Sequence, residues 1–442
     1  MLKLPFGELI TDSNLFSREF IPCYFFACNS KRNVVNLIQE VIFLNKKKEF
    51  GVFYTPKEVV DKVYSLLPMH KINSIIDINC GDGALLRPYD KEKIVLGFDI
   101  EPKYKYAVTR DSLNSEAYTK TTSLLHFDLC IGNPPYRPVR KNEYIGDTDT
   151  MNDFVHNNGS NLFIAGLYKA MEYNAEWYAF IIPKNFLTLD GYRGCREYIA
   201  TNFHVYAICD LGRAFKDVSG EQVCIVFNRN NPTETIKMVR GDNVYKMPSS
   251  DFNPTMWVMF DSLTDKNLYE KLNKYSKIGR LMSCNVVEGI RGRDLDKFRL
   301  KNGQHNLHGD VILLQRIYSS SCGFKAVPAG IDTRCNESVK KLATFDVLCL
   351  TGLLHSRLIN YYFNHYLFTD STLTLKTEYA KYLPKIFTSI LDETVKDMMI
   401  NGWSKLRQEQ LDNLVYSIFN LTTEERQMVD EFIERTWSKK WL

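Results

Sequence analysis

The sequence predicts an α/β protein with a mostly parallel, doubly wound sheet, followed by a mixed α+β domain. Short apolar runs that stop at a polar residue or a glycine recur at 75–77, 95–100, 127–132 and 177–183. Helical periodicity intervenes, most clearly at 162–171, and such alternation implies parallel strands covered by helices on both faces. Beyond about residue 240 the pattern shifts to glycines, basic residues and short strands over 280–330, and then to two helical stretches near the end. The predicted organisation is an N-terminal helical cap over 1–45, a catalytic domain over 46–240 and a further domain over 241–442.

The elements follow in order. Residues 1–45 hold an apolar stretch at 20–27 and a helical pattern through Val34, Val35, Leu37, Ile38, Val41 and Ile42, with no paired-carboxylate and lysine strand motif of a nuclease. Ile75-Ile76-Asp77-Ile78-Asn79-Cys80-Gly81-Asp82-Gly83 is a strand entering a glycine turn, and Ala84-Leu85-Leu86 is the expected start of a helix. About twenty residues on, a second strand ends at Asp99, where doubly wound sheets place the acid that hydrogen-bonds a ribose. The loop is not G-x-G-x-x-G, and nothing matches G-x-x-x-x-G-K-[ST], so a pyrophosphate cradle has no support. A ribose-bearing cofactor without phosphates fits better, and S-adenosylmethionine is the expected one.

Asn133-Pro134-Pro135-Tyr136 follows the 127–132 strand directly. Proline fixes its own φ and biases the residue before it toward extended backbone, so the Asn133 side-chain oxygen and the Pro134 carbonyl are held rigidly at the strand end. Both accept hydrogen bonds, which suits the two hydrogens of one amino group on a planar base. Tyr136 supplies a ring for stacking on a base that has left its helix.

With these motifs in this order, nearly the whole chain resembles the gamma-class adenine-N6 DNA methyltransferases, the Taq-type enzymes of restriction-modification systems and their orphan relatives. Phe53-Tyr54-Thr55-Pro56 resembles the family's amino-terminal cofactor segment, which implies cofactor roles for Tyr54 and Thr55; Thr55 is also the expected N-cap, with Pro56 at the first helical position. The resemblance implies further cofactor contacts from Asp77, Asn79, Cys80, Gly81 and Gly83 of the loop, from Asp99 and Ile100, from Asp111 and from Asn133. It implies catalysis by Asn133, Pro134 and Tyr136, with Phe215 against the flipped base. In the later domain Gly289-Ile290-Arg291-Gly292-Arg293 and Val311–Arg316 resemble the start of the family's target-recognition domain, so Arg291, Arg293 and Arg316 are expected DNA contacts, through phosphates or guanine edges. One departure stands out: the family has Pro-Ala before Cys-Gly, and this chain has Ile78-Asn79.

The implied reaction is direct, in-line methyl transfer from S-adenosylmethionine to the N6 amine of adenine in double-stranded DNA, without a covalent enzyme intermediate and without a metal. A separate cognate endonuclease is an implied partner. The tetrapeptide alone leaves open cytosine-N4 methylation and methylation of RNA or protein-glutamine amines, and a catalytically inactive DNA-binding scaffold is also open. A cytosine-carbon methylase needs a Pro-Cys nucleophile that is absent. A net charge of +4 permits nucleic acid binding without requiring it. Eleven cysteines without C-x-x-C or zinc spacing read as reduced thiols, and no apolar run approaches eighteen residues. The expected setting is therefore cytoplasmic, in a bacterium, an archaeon or a phage-infected cell, with no membrane association.

Overall fold

The apolar runs become strands of one nine-stranded sheet: β1 (Ser74–Asp77), β2 (Ile94–Asp99), β3 (Ala107–Thr109), β4 (Phe127–Gly132), β5 (Ala175–Pro183), β6 (His204–Gly212), β7 (Gln222–Asn228), β8 (Thr235–Arg240) and β9 (Asn243–Pro248). Their spatial order is β3-β2-β1-β4-β5-β7-β6-β8-β9. Strands β1 to β5 pair in parallel; β7 runs antiparallel to both β5 and β6, and β8 pairs with β9 as an antiparallel hairpin. The computed structural model describes residues 55–114, 126–215, 218, 220–275, 281–283, 290–295, 309–319, 321–344, 346–367, 372–375 and 377–437, all within a unit spanning Phe53–Leu442. The expected cap over 1–45 lies outside them.

The strands read as continuous apolar runs because both faces of the sheet are covered. Ile75, Leu129, Ile131, Trp177, Ala179 and Ile181 point to one side, where Val59, Val60 and Val63 of helix α1 (Lys57–Ser65) pack. Ile76, Cys130, Tyr178, Phe180 and Ile182 point to the other, where Met151 and Val155 of α2 (Asp149–Asn157), Phe163 and Leu167 of α3 (Leu162–Glu172) and Ile199 of α4 (Arg193–Asn202) pack. This is the doubly wound α/β sheet that the sequence predicts. Strand order reverses between β1 and β4, so a crevice opens beyond their carboxyl ends.

Two local expectations fail. Residues 84–86 form turns, and only a 3-10 turn, Arg87–Tyr89, follows. Pro88 has no N–H to give to the Ala84 carbonyl, so a helix begun at Ala84 is interrupted there. Thr55 is not the N-cap of α1; Pro56 takes that position in extended backbone, and the Thr55 hydroxyl is used elsewhere. The sheet also continues through β8 and β9 to Pro248.

The second layer of the chain is mixed. It holds α5 (Leu263–Asn273) and a four-stranded antiparallel sheet of β10 (Leu281–Ser283), β11 (Val311–Gln315), β13 (Ala326–Ala329) and β14 (Val339–Ala343), in the order β10-β14-β11-β13. A two-stranded ribbon pairs β12 (Ile317–Ser319) with β15 (Thr372–Thr374). Helices α6 (Val347–His355), α7 (Arg357–Tyr362), α8 (Ser389–Asn401), α9 (Lys405–Ile418) and α10 (Thr423–Thr436) follow. A capping box opens α10: Glu425 N–H donates to Thr422 Oγ1 at 3.2 Å, and Thr422 N–H to Glu425 Oε2 at 2.8 Å. The α3 face of the sheet and the C-terminal helices share one apolar core, joined through the fully buried Trp257, whose ring centroid lies 5.6 Å from that of Phe186. Among the described residues no helix is long and apolar enough to cross a membrane, and no described cysteine forms a disulfide.

Candidate active site

The glycine turn leaves β1 as a tight loop. Cys80 N–H donates to the Phe98 carbonyl at 2.9 Å and Gly81 N–H to Asp99 Oδ2 at 2.9 Å, so the loop is tied across to the end of β2. Gly83 sits at φ +77° with the Tyr104 ring against it; a Cβ there would lie 2.3 Å from the ring, and left-handed backbone is open to glycine at least cost. Ser112, buried, donates to the Ile78 carbonyl at 2.7 Å and holds the loop from behind. Asp99 accepts backbone N–H groups on both oxygens, from Gly81 and from Glu101, and each oxygen keeps a second lone pair. Ile100, next along, is 47% exposed and presents an apolar surface beside that acid. Asp111 bonds locally to Leu113 N–H at 3.0 Å and to the Asn114 amide.

Asp77 is 2% exposed, and among the described residues no cation faces it. Burial pushes its carboxyl up to about 8, against the Asn79 N–H bond that favours the charge and with Asp99 and Asp82 adding to the rise. An unfolded aspartate ionises near 3.8, so between about pH 4 and 8 the folded chain holds a proton that the unfolded chain has lost. The contribution of Asp77 to stability therefore falls as pH rises through that window and is flat above it. Asp77→Asn is expected to remove a penalty on the order of a few kcal/mol at pH 8, read as a urea midpoint that falls less between pH 5 and pH 8 than in the wild type. Some slope remains in the variant, because burial also pushes Asp412 up, to about 7.

At the end of β4, Asn133 is held at both ends of its carboxamide. Its Nδ2 donates to Thr55 Oγ1 at 3.3 Å, and its Oδ1 accepts from the Tyr136 hydroxyl at 2.6 Å. That hydroxyl also lies 3.0 Å from the Ile181 carbonyl. Pro134 is buried against α3, where Gly166 makes room: a Cβ at 166 would stand 2.7 Å from Pro134 Cβ and 3.5 Å from Asn79 Oδ1. The loop after β1 and the tetrapeptide after β4 thus converge on one point of α3. Tyr54 lies outside the described residues.

Phe215 is 4% exposed and its ring lies edge-on to Tyr136, centroids 6.4 Å apart. Sequence reasoning missed what tethers the segment before it. Asp210, at the end of β6, accepts Gly212 N–H at 2.9 Å and pairs with Lys184 at 2.7 Å; Lys184 also pairs with Glu221 at 2.6 Å. Burial pushes the Asp210 carboxyl up, but the Lys184 ammonium and these bonds outweigh it and hold it below the usual range. A charged residue just past a strand end was the available signal for Lys184. Asp210 is linked onward to Arg240, which lies 3.0 Å from both Asp261 and the His365 ring nitrogens. Asp261, Asp265 and His365 have a metal-like arrangement, but the Arg240 guanidinium already supplies the cation there.

Burial pushes the Cys80 and Cys130 thiols well up, so neither is a ready nucleophile at neutral pH. Of the three arginines expected at DNA, Arg291 and Arg293 are exposed on the 3-10 turn Gly292–Asp294 and its first flank. Arg316 is half-buried: its N–H donates to the Ser338 carbonyl at 2.8 Å, its carbonyl accepts from Leu375, and its Nε is enclosed without a hydrogen-bond partner among the described residues.

Comparison with known proteins places this site in context. The Type II methyltransferase M.CvrRI of Paramecium bursaria Chlorella virus XZ-6E is 32% identical over 102 residues, 21% of this chain and 27% of that protein. M.HincII of Haemophilus influenzae is 21% identical over 224 residues, 47% of this chain and 43% of that protein. The chain spans less than half the length of these curated relatives. A solved structure of the Type IIL restriction-modification enzyme MmeI in complex with DNA aligns over 93% of this chain and 78% of that one, at 11% identity and a TM-score of 0.49. Residues 100–216, which include Asn133 to Tyr136 and Phe215, match the family described as Eco57I restriction-modification methylase.

Proposed function

We propose that the chain is a site-specific DNA methyltransferase that moves a methyl group from S-adenosylmethionine to the exocyclic N6 amine of an adenine flipped out of double-stranded DNA. The observation that carries the reading is the Asn133 carboxamide, oriented by Thr55 and Tyr136 at a strand end beside the Asp77 to Gly83 loop. The donor set around that loop suits this cofactor. Asp99 retains lone pairs for ribose hydroxyls, Ile100 offers an apolar face for an adenine ring, and the buried Asp77 has no cation of its own among the described residues. When bound, the sulfonium supplies the methyl group and a positive charge.

The chain's own residues do the rest. The incoming amine exchanges for the Tyr136 hydroxyl as donor to Asn133 Oδ1, and the Pro134 carbonyl accepts its second hydrogen. These bonds strengthen as the nitrogen becomes tetrahedral and positive, so they favour the transition state over the planar ground state. Tyr136 and Phe215 form the aromatic wall for the base. Because Phe215 is buried, its contribution is shape: Phe215→Ala is expected to raise the KM for DNA by about 10-fold, measured in steady-state transfer to duplex DNA. Asn133, where cytosine members of the resembling family tend to carry serine, favours adenine over cytosine-N4. The match of residues 100–216 supports a restriction-modification substrate over free RNA or protein glutamine.

The test is modified-base sequencing of DNA from cells expressing the full chain. N6-methyladenine at one recurrent sequence is expected. DNA without methyladenine at any recurrent site overturns the adenine reading, and N4-methylcytosine at such a site replaces it.

A further inference from the structure

We infer that Arg240 is a positioning residue: it holds the turn that carries Phe215 from the side of the C-terminal helices, so the fit of the base pocket depends on how those helices sit against the sheet. The consequence for catalysis rests on the proposed methyl transfer; the tether itself rests on geometry alone. Arg240 ends β8, and parallel pairing sets it opposite Asp210 near the end of β6. Asp210 Oδ1 accepts Gly212 N–H at 2.9 Å, and Gly212 turns the chain at φ +59°. Ala214 N–H then donates to Gln222 Oε1 at 3.0 Å, and Phe215 follows, edge-on to Tyr136. One carboxylate and one carboxamide thus hold the turn in front of the aromatic wall.

The far end of Arg240 enters the C-terminal part of the chain. Its Nη1 lies 3.0 Å from Asp261 Oδ2 and from the His365 ring nitrogens. Asp261 N–H donates to Asp265 Oδ2 at 2.8 Å, and the fully buried Asp265 also accepts from the Tyr361 hydroxyl at 2.7 Å and lies 3.0 Å from His365 Nε2. His365 sits in the π-helical turn Phe363–Leu367 that continues α7, a local geometry frequent at functional sites. The donor pattern sets Arg240 apart from a scaffold arginine. In the buried Arg196 every guanidinium nitrogen donates to a carbonyl. Arg240 Nε is enclosed, has no hydrogen-bond partner among the described residues and stands 3.6 Å from Asp210 Oδ2. An enclosed donor left unmet is costly, and a movement of less than about 1 Å brings it into bonding range of that carboxylate. Lys184 leaves room for this, because it pairs with Asp210 at 2.7 Å and with Glu221 at 2.6 Å and keeps the second partner if Asp210 swings toward Arg240.

The experiment uses the full chain and two readouts. Backbone hydrogen exchange is compared in the wild type, Arg240→Gln and Arg196→Met, the last loosening a different segment. Exchange at Gly212 and Ala214 is expected to be about 10-fold faster in Arg240→Gln than in Arg196→Met. Equal exchange at those two amides overturns the inference. Steady-state transfer to duplex DNA then closes a double-mutant cycle with Phe215→Ala. A residue acting through Phe215 raises the KM for DNA about 10-fold alone and adds little to Phe215→Ala, whereas independent sites multiply to about 100-fold. The multiplied loss overturns the inference. Arg240→Lys keeps a cation but offers one nitrogen in place of a fork, so it should recover most of the urea midpoint and leave the KM raised. A lysine variant with the wild-type KM shows that charge alone suffices and also overturns it. A wild type that transfers no methyl group fails the proposed reaction, and the exchange result still decides the tether.

Discussion

Asn133→Ala is expected to lower single-turnover methyl transfer by about 10²–10³-fold, the usual loss when a preorganised hydrogen bond to a developing charge is removed. The substitution deletes the oxygen that meets the amine and also the Nδ2 bond to Thr55, leaving the Tyr136 hydroxyl with the Ile181 carbonyl as its remaining partner among those two. Two companions separate these contributions. Asn133→Asp keeps an acceptor at the same place but cannot donate to Thr55, and should fall between the wild type and alanine. Tyr136→Phe removes the hydroxyl that donates to Asn133 Oδ1 while keeping the ring, and should cost less than about 10-fold, since a neutral hydrogen bond is worth roughly 1 kcal/mol. Transfer of labelled methyl to duplex DNA under excess enzyme measures all three. An alanine variant that transfers within about threefold of wild type removes Asn133 from the chemistry, because no preorganised acceptor worth its place at a transition state is that dispensable.

The parts of this site that could be read in the sequence are those whose cause is local. The strands at 75–77 and 127–132 announce themselves because burial on both faces demands an unbroken apolar run. Asn133 and Pro134 announce themselves because proline restricts backbone within one or two residues. The failures have equally physical sources. The missing helix after Gly83 turns on Pro88, whose absent N–H outweighs the helix propensity of Ala84, Leu85 and Leu86. The Thr55 hydroxyl is drawn to a partner 78 residues away, and no local rule predicts that exchange of a cap for a tertiary bond. The chain of charges from Glu221 and Lys184 through Asp210 and Arg240 to Asp261 and His365 joins residues up to 125 apart along single links. Ion pairs of that kind leave no periodicity behind. The β8–β9 hairpin is not legible in the sequence because its outer strand is largely exposed and Asn243, Lys246 and Pro248 break up its apolar residues, so it lacks the apolar run that marks the inner strands.

Arg196→Met is expected to destabilise the chain by about 2–4 kcal/mol, although methionine is of similar length and more apolar than the residue it replaces. Arg196 is 1% exposed, and its guanidinium donates to the carbonyls of Phe186, Leu189 and Thr255 at 2.6, 2.8 and 2.8 Å. Burial pulls its guanidinium down to about 10, with nearby Asp190 opposing, so it stays charged at neutral pH. Removing the charge relieves that desolvation, but the Phe186 and Thr255 carbonyls then lose the Arg196 donor and the Leu189 carbonyl keeps only the Tyr192 N–H, and each carbonyl left unmet costs about 1–3 kcal/mol. Urea unfolding of Arg196→Met beside Arg193→Ala checks this, because Arg193 sits exposed three residues earlier in a surface pair with Glu197 and should leave the midpoint unchanged. The three carbonyls belong to the segment after β5 and to the approach to Trp257, so the same arginine ties the sheet to the core it shares with the C-terminal helices. Loosening it frees the end of β5, the strand whose Ile181 carbonyl meets the Tyr136 hydroxyl. Hydrogen exchange at 186–189 and 255–257 should therefore speed up in Arg196→Met, and methyl transfer at a temperature where the variant remains folded should fall. Faster exchange with unchanged transfer would confine Arg196 to holding the two layers together.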